Sequence, residues 1–196
     1  MDEYEYIVGL DLSLSQTGVA VHSIATGMQS LSVAKSAPRL EGLPGTLDRI
    51  ETLLEQIQYK VPPRLSLVVV EAPSYRSQFG KPHERAGLWW AVVTDLLRKG
   101  HDVVEVAPRT RAKYIAGHLP IEEPRRGPSK REIVAASVAD FPTSAEKLRN
   151  DNIADAFGLA RMGARAVGSP IDATTRQRVE AVAAVRWPNN SKEREQ

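Results

Sequence analysis

The chain has 196 residues, 42% hydrophobic and 26% charged, with a net charge of +2 and no cysteine. That is one domain's worth of chain with a sizeable core; disulfides and thiolate metal sites are excluded, so any metal must sit on oxygen or nitrogen, which favours magnesium or manganese. No long uncharged apolar run suggests a membrane span, and the acidic start MDEYEY is unlike a signal peptide, so a cytoplasmic address is expected.

Residues 6–12 read as a strand, and 17–24 and 29–35 as two more joined by short turns, giving an antiparallel meander. Over 45–59, Leu47, Ile50, Leu53, Leu54 and Ile57 recur at helical spacing, and Pro62-Pro63 ends the helix. LSLVVVEAP is a near-continuous apolar run with β-branched residues, the pattern of a central strand buried on both faces. A helix spans 83–99 and closes at Gly100, and DVVEVAP gives a fifth strand. Helices follow near 108–117, 129–140 and 150–167, with a link rich in proline and charge over 119–128. The main domain is expected at 1–167. From 168 to 196 an extension carries one more helix (174–185) and a polar, disordered end, PNNSKEREQ. Three antiparallel strands, then alternating helices and strands, make an α/β protein with a mixed five-stranded sheet flanked by helices. That order matches the RNase H-like fold, which by itself does not decide function.

The chemistry lies in the acids. IVGLDLSLSQTGVAV puts Asp11 inside an otherwise apolar strand, and a buried carboxylate is costly unless paired, hydrogen-bonded or bound to metal. Glu71 ends the apolar strand just before Ala72-Pro73. If the two strands are parallel neighbours, both acids emerge at the carboxyl edge, where α/β proteins place ligands. In RNDNIADAFGLARMGARAV, Asp151 and Asp155 share one helical face and Asn152 nearly shares it, while Ala154, Phe157, Ala160 and Met162 supply packing. Singly, each acid has an ordinary explanation: a turn cap for Asp11, an arginine partner for Glu71, the acidic first turn of a helix for Asp151. Together their repulsion calls for a cation, and a pair of divalent ions can clamp the attacking and leaving oxygens of a phosphodiester.

Basic residues gather between 109 and 131: Arg109, Arg111, Lys113, Arg125, Arg126, Lys130 and Arg131, against Glu122 and Glu123. Such a cluster can track a phosphate backbone or form a solvated face. His22, His83, His101 and His118 show no ligand spacing and read as structural or surface residues.

Over residues 6–167 the chain resembles the RuvC family of Holliday-junction resolving endonucleases, on VGLDLSLSQTGVAV, VVVEAPSYRS and DNIADAFGLA. The resemblance implies catalytic metal ligands at Asp11, Glu71 and Asp155. It also implies a catalytic lysine at Lys130 in GPSKREIVAASV, with Lys113 in VAPRTRAKYIAG as a second match. Where the family often has Asp or His, this chain has Asn152; Asp151 precedes it, and either reaches the metal, with Asp151 favoured for its charge. Tyr75 stands where the family carries an aromatic that wedges the junction, and equally reads as an exposed loop residue. Arg76, Lys113, Arg125, Arg126, Lys130 and Arg131 are the expected DNA contacts. The implied activity is a homodimeric endonuclease using Mg2+ or Mn2+, two ions per site, that nicks four-way or other branched DNA and leaves a 5′-phosphate and a 3′-hydroxyl. The first hairpin also resembles that of sugar kinases and actin-like ATPases, but no second Asp-Gly-rich phosphate loop follows. A non-catalytic DNA-binding relative is the third reading, and acids at all three segments argue against it. The helix GLWWAVVTDLL is apolar nearly all round, so a second copy is expected to cover its outer face, with the helix at 174–185 as the alternative cover.

Overall fold

Two strands rich in β-branched and aliphatic residues, both ending in an acid, form the centre of the sheet: β1 (Tyr6–Asp11) pairs in parallel with β4 (Ser66–Glu71). The computed structural model describes residues 4–37, 40–73, 81–117 and 127–188. Tyr75, Arg76, Arg125, Arg126, His118 and the expected polar end beyond 188 lie outside the described residues. β2 (Gln16–Ser23) and β3 (Gln29–Lys35) continue the sheet antiparallel on one side of β1, and β5 (Asp102–Val106) lies parallel beyond β4. The order is β3-β2-β1-β4-β5, the mixed five-stranded sheet expected.

Alternation divides the core. Val8, Leu10, Val68 and Val70 face α1 (Gly42–Lys60) and α2 (Pro82–Arg98), where Leu53, Ile57, Leu88, Val92 and Leu96 are buried with them. Ile7, Leu67 and Val69 face the other way, onto Phe157, Leu159, Ala160 and Met162 of α6 (Asp151–Ala166). Around α6 gather α3 (Pro108–Ile115), α4 (Lys130–Asp140), the short α5 (Ala145–Leu148) and α7 (Arg176–Ala183). Enclosed on all sides, α6 is buried continuously from Ile153 to Ala164. Among the described residues, no helix is long and apolar enough to cross a membrane.

Two glycines set the height of α6 above the sheet. A Cβ on Gly9 of β1 would fall 1.9 Å from the carbonyl oxygen of Ala156, and one on Gly18 of β2 would fall 1.9 Å from that of Asn152. Only a residue with no side chain admits this backbone approach. It brings the first turns of α6 down onto the carboxyl end of β1.

The structure departs from the sequence reading in three places. A 3₁₀ turn (Pro142–Ser144) and α5 interrupt the loop before α6. Leu47, expected on the buried stripe of α1, is 56% exposed. The helix near 174–185 forms as α7 but packs on α3 and α6, on the opposite face of the sheet from α2, so it does not cover α2. The expected extension from 168 nevertheless supplies Ala181 and Trp187 to the α6-side core. Polar contacts fix it there too. Arg161 of α6 and Arg178 of α7, with side chains 0% and 1% exposed, both reach Asp140 and Asp172, while Arg165 and the Tyr114 hydroxyl donate to Asp172 at 2.5 and 2.9 Å. Burial is compensated by pairing.

Candidate active site

The register of β1 and β4 runs through Leu10 opposite Val70. One step further along each strand come Asp11 and Glu71. Because side chains alternate, these two acids share a face with Ile7 and Gly9, and with Leu67 and Val69. That is the face α6 covers. The third acid arrives from α6, whose start is fixed by Asn150: its side chain accepts from the Ile153 N–H at 3.2 Å. Asp155 lies one turn in, on the segment that Gly9 and Gly18 let close against the sheet. Beside Asp11 the turn is held by Thr17, whose hydroxyl accepts from Ser13 N–H at 3.1 Å and donates to Ser13 C=O at 3.0 Å. Beside Glu71, the Trp89 indole of α2 donates to the Glu71 carbonyl at 3.0 Å.

Burial, reinforced by the charge of Asp155 and opposed by Arg111 and Lys130, pushes Asp11 up to about 7. Glu71 is pushed up to about 8, again chiefly by burial, with Arg111 opposing and Asp11 and Asp155 reinforcing. Asp155 is also raised by burial against the pull of Arg111. The three carboxyl groups thus feel one another and one arginine. Arg111 Nη1 lies 2.5 Å from Glu71 Oε2 and 2.6 Å from Asp155 Oδ2. Both are ion-pair contacts made by one nitrogen, and Arg111 Nε and Asp155 Oδ1 are buried with no hydrogen-bond partner.

Lys130 is placed by a capping box. The Ser129 hydroxyl accepts from Glu132 N–H while the Glu132 carboxylate accepts from Ser129 N–H at 2.6 Å, which makes Lys130 the first residue of α4. A cation there opposes the helix dipole. Its compensation is Asp151, 2.6 Å from Nζ. Their hydrogen bond holds Asp151 below the usual carboxylate range and Lys130 above the usual amine range. The pair is open to solvent and stands at the rim of the cluster, where Lys130 also feels Asp155 and Asp11.

The other expected residues are placed as follows. Arg131 is exposed on the first turn of α4, and Asn152 sits on α6 with its N–H donating to Asp151. Lys113 does not join the acids: it pairs with Glu180 of α7 at 2.7 Å. Residues two apart on a helix point in nearly opposite directions, and it is Arg111 that turns inward. In the sequence Arg111 reads only as a member of the basic cluster at 109–131, tracking a phosphate backbone or forming a solvated face. A signal was present, since Arg111 shares a stripe with Tyr114 and Ile115, the buried residues of α3. An arginine on a buried stripe implies a buried acid. His22 and His101 are buried and His83 is exposed, none of them beside the acids in sequence or on their strand ends.

Among the described residues, no three histidine, aspartate or glutamate side chains already form a metal cage; the guanidinium lies between two of the acids. The donor set nevertheless fits a hard cation. It is all carboxylate oxygen; Asp155 Oδ1 is buried with no hydrogen-bond partner, and Glu71 Oε2 faces the Arg111 guanidinium.

No family model matches the sequence, and no curated protein matches it. Solved structures do. Thermus thermophilus RuvC in complex with a Holliday junction substrate superimposes with a TM-score of 0.57 at 16% identity, covering 87% of this chain and 100% of that one. A further Thermus thermophilus RuvC structure gives 0.55 at 17% identity, over 86% of this chain and 99% of that one. The shared feature is the fold, a mixed five-stranded RNase H-like sheet with flanking helices.

Proposed function

We infer that this chain is a metal-dependent endonuclease that resolves Holliday junctions or other branched DNA. One observation carries the reading: acids from β1, β4 and α6 meet at the carboxyl edge of a sheet shared with RuvC, with one arginine between two of them and Asp155 Oδ1 buried without a hydrogen-bond partner. A structural carboxylate in this setting is normally hydrogen-bonded or replaced by an apolar residue.

Asp11, Glu71 and Asp155 would hold divalent magnesium or manganese, with Asp151 or Asn152 at the rim, enough oxygen donors for the two ions that the family resemblance implies. A bound ion supplies Lewis-acid polarisation of the phosphodiester and a water of lowered pKa. The chain's own groups do the rest. Lys130, solvent-open and held by Asp151, meets a non-bridging oxygen of the scissile phosphate and stabilises charge that grows in the transition state. Arg76, Arg125, Arg126 and Arg131 bind backbone phosphates and fix the strand's register, and Tyr75 stacks at the branch point. Lys113, spent on Glu180, lies outside this set. A homodimer built on α2 gives the paired nicks a junction needs.

The test is incubation of end-labelled four-way junctions, flaps and linear duplex with Mg2+ and with Mn2+, beside an ATPase assay. Paired nicks in branched DNA and no ATP turnover are expected. ATP hydrolysis without nicking would put the chain among the actin-like phosphotransferases, and junction binding without nicking in either metal would make it a non-catalytic binder.

A further inference from the structure

The unsatisfied buried atoms of the site surround a single side chain. Arg111 projects from α3 over Gly158 of α6, where its Cγ lies 3.9 Å from the position of an added Cβ and the Ile115 side chain comes as near as 2.3 Å. A side chain at Gly158 would therefore press on Ile115 of α3, the helix that carries the arginine. The Arg111 side chain is 9% exposed and touches Glu71 and Asp155 through the same nitrogen.

Arginine ordinarily meets carboxylates as a planar fork, with two N–H bonds lying along the lines to oxygen. Here the fork is not used. Nη1 alone approaches both carboxylates at ion-pair distance, while Nε and Asp155 Oδ1 are buried with no hydrogen-bond partner. What the contact supplies is positive charge at one point between two carboxylates. A divalent cation meets the same requirement with twice the charge. It also accepts carboxylate oxygens in geometries that an N–H cannot.

We propose that Arg111 and a divalent cation are alternative occupants of the position between Glu71 and Asp155. The arginine neutralises the two acids while no metal is bound, and must release them before one ion can take both. The inference rests on the metal-centre reading above. It makes Arg111 a positioning residue that sets metal affinity. Removing its charge leaves the acids uncompensated, so the metal-free protein loses stability while its affinity for metal rises.

The test needs no DNA and no turnover. Mn2+ binding to the full chain is measured by calorimetry, and thermal melting is followed with and without Mn2+, for the wild type, Arg111→Leu and Arg111→Gln. Arg111→Lys serves as the variant that keeps the charge. Arg111→Leu and Arg111→Gln are expected to bind Mn2+ at least about tenfold more tightly than the wild type, a gain of roughly 1.4 kcal/mol. They should also melt lower without metal and show a larger metal-induced rise in melting temperature. Arg111→Lys should bind within about threefold of the wild type. Should Arg111→Leu not fold, the Gln variant decides, since it preserves length and polarity without charge. Equal or weaker Mn2+ binding by the neutral variants, with Glu71→Gln and Asp155→Asn still abolishing binding in the wild type, overturns the competition and leaves the metal centre standing. Binding in the wild type that ignores Glu71→Gln and Asp155→Asn, or no binding in any variant, overturns the metal centre and the competition together.

Discussion

At the scale of single residues, Asp11, Glu71 and Asp155 are held where burial disfavours their charged forms. Asp11→Asn, Glu71→Gln and Asp155→Asn keep size while removing charge. Each is expected to bring junction cleavage below detection while junction affinity changes by no more than about threefold, because phosphate contacts dominate affinity. Near-normal nicking by any one of them, in a labelled-junction assay, removes that residue from the site. Lys130→Ala should lower the cleavage rate by roughly 10²–10³, the usual cost of losing one group that stabilises transition-state charge. A fall in affinity alone, with the rate at saturating DNA intact, would make it a binding residue. Asp11 and Glu71 were legible in sequence because each breaks an apolar strand at its end, and Asp155 because it stands four residues from Asp151. Arg111 was not, because its meaning depends on the packing of α3 against α6 at Gly158, which local pattern does not encode.

At the scale of elements, the site depends on the height of α6. Gly18→Ala forces the new methyl against the Asn152 carbonyl. Backbone cannot yield as a side-chain tip does, so a loss of about 3 kcal/mol is expected, the upper end for overpacking, with Asp155 displaced from β1. Urea unfolding measures the first, and loss of cleavage in the folded fraction the second. The strands and long helices were legible to within two or three residues, since their apolar periods are strong. What holds Asp172 and α7 against α6 was not. Asp140, Arg161, Asp172 and Arg178 are scattered in sequence, and Arg161 lies within the buried helix α6. Burial pushes Asp172 up, but the charge of Arg161, the hydrogen bond from Arg165 and the charge of Arg178 outweigh it and hold its carboxyl below the ordinary value of 3.8. A lowered folded value means the carboxylate stabilises the fold above that ordinary value, and the contribution fades as pH falls through the lower, folded one. The wild type should therefore lose melting temperature steeply below about pH 4, a window set by the ordinary carboxylate value. Asp172→Asn should cost about 3–5 kcal/mol at neutral pH, because it leaves buried arginines underpaired, and should flatten the acid limb. An unchanged acid limb would remove Asp172 from that transition.

For the whole molecule, the outer face of α2 is the expected meeting surface of two copies. α1 shields one flank, and Leu88, Val92, Val93 and Leu96 are buried, but Trp90 and Leu97 remain 63% and 54% exposed, with Leu43 and Leu47 of α1 also open to solvent. Sedimentation at micromolar concentration should give a dimer for the wild type and a monomer for Trp90→Glu. A monomeric wild type, free and on a junction, would remove the dimer. The fold itself was legible because the order of elements allows few topologies; the outer surface was less so, since an apolar residue such as Leu47 is equally at home on a buried stripe or a meeting surface. The indole bond from Trp89 to the Glu71 carbonyl has an optical consequence. Trp89 stands edge-to-face with Trp90 at 4.9 Å, while the third tryptophan, Trp187, is buried on the other side of the sheet. The chain therefore carries its own fluorescent gauge: a Trp187→Phe background leaves two coupled emitters, one tied to the strand end that bears Glu71 and the other on the exposed face of α2. Emission from that background can test, without any attached dye, both the proposed filling of the acidic cluster by metal and the proposed covering of α2 by a second copy.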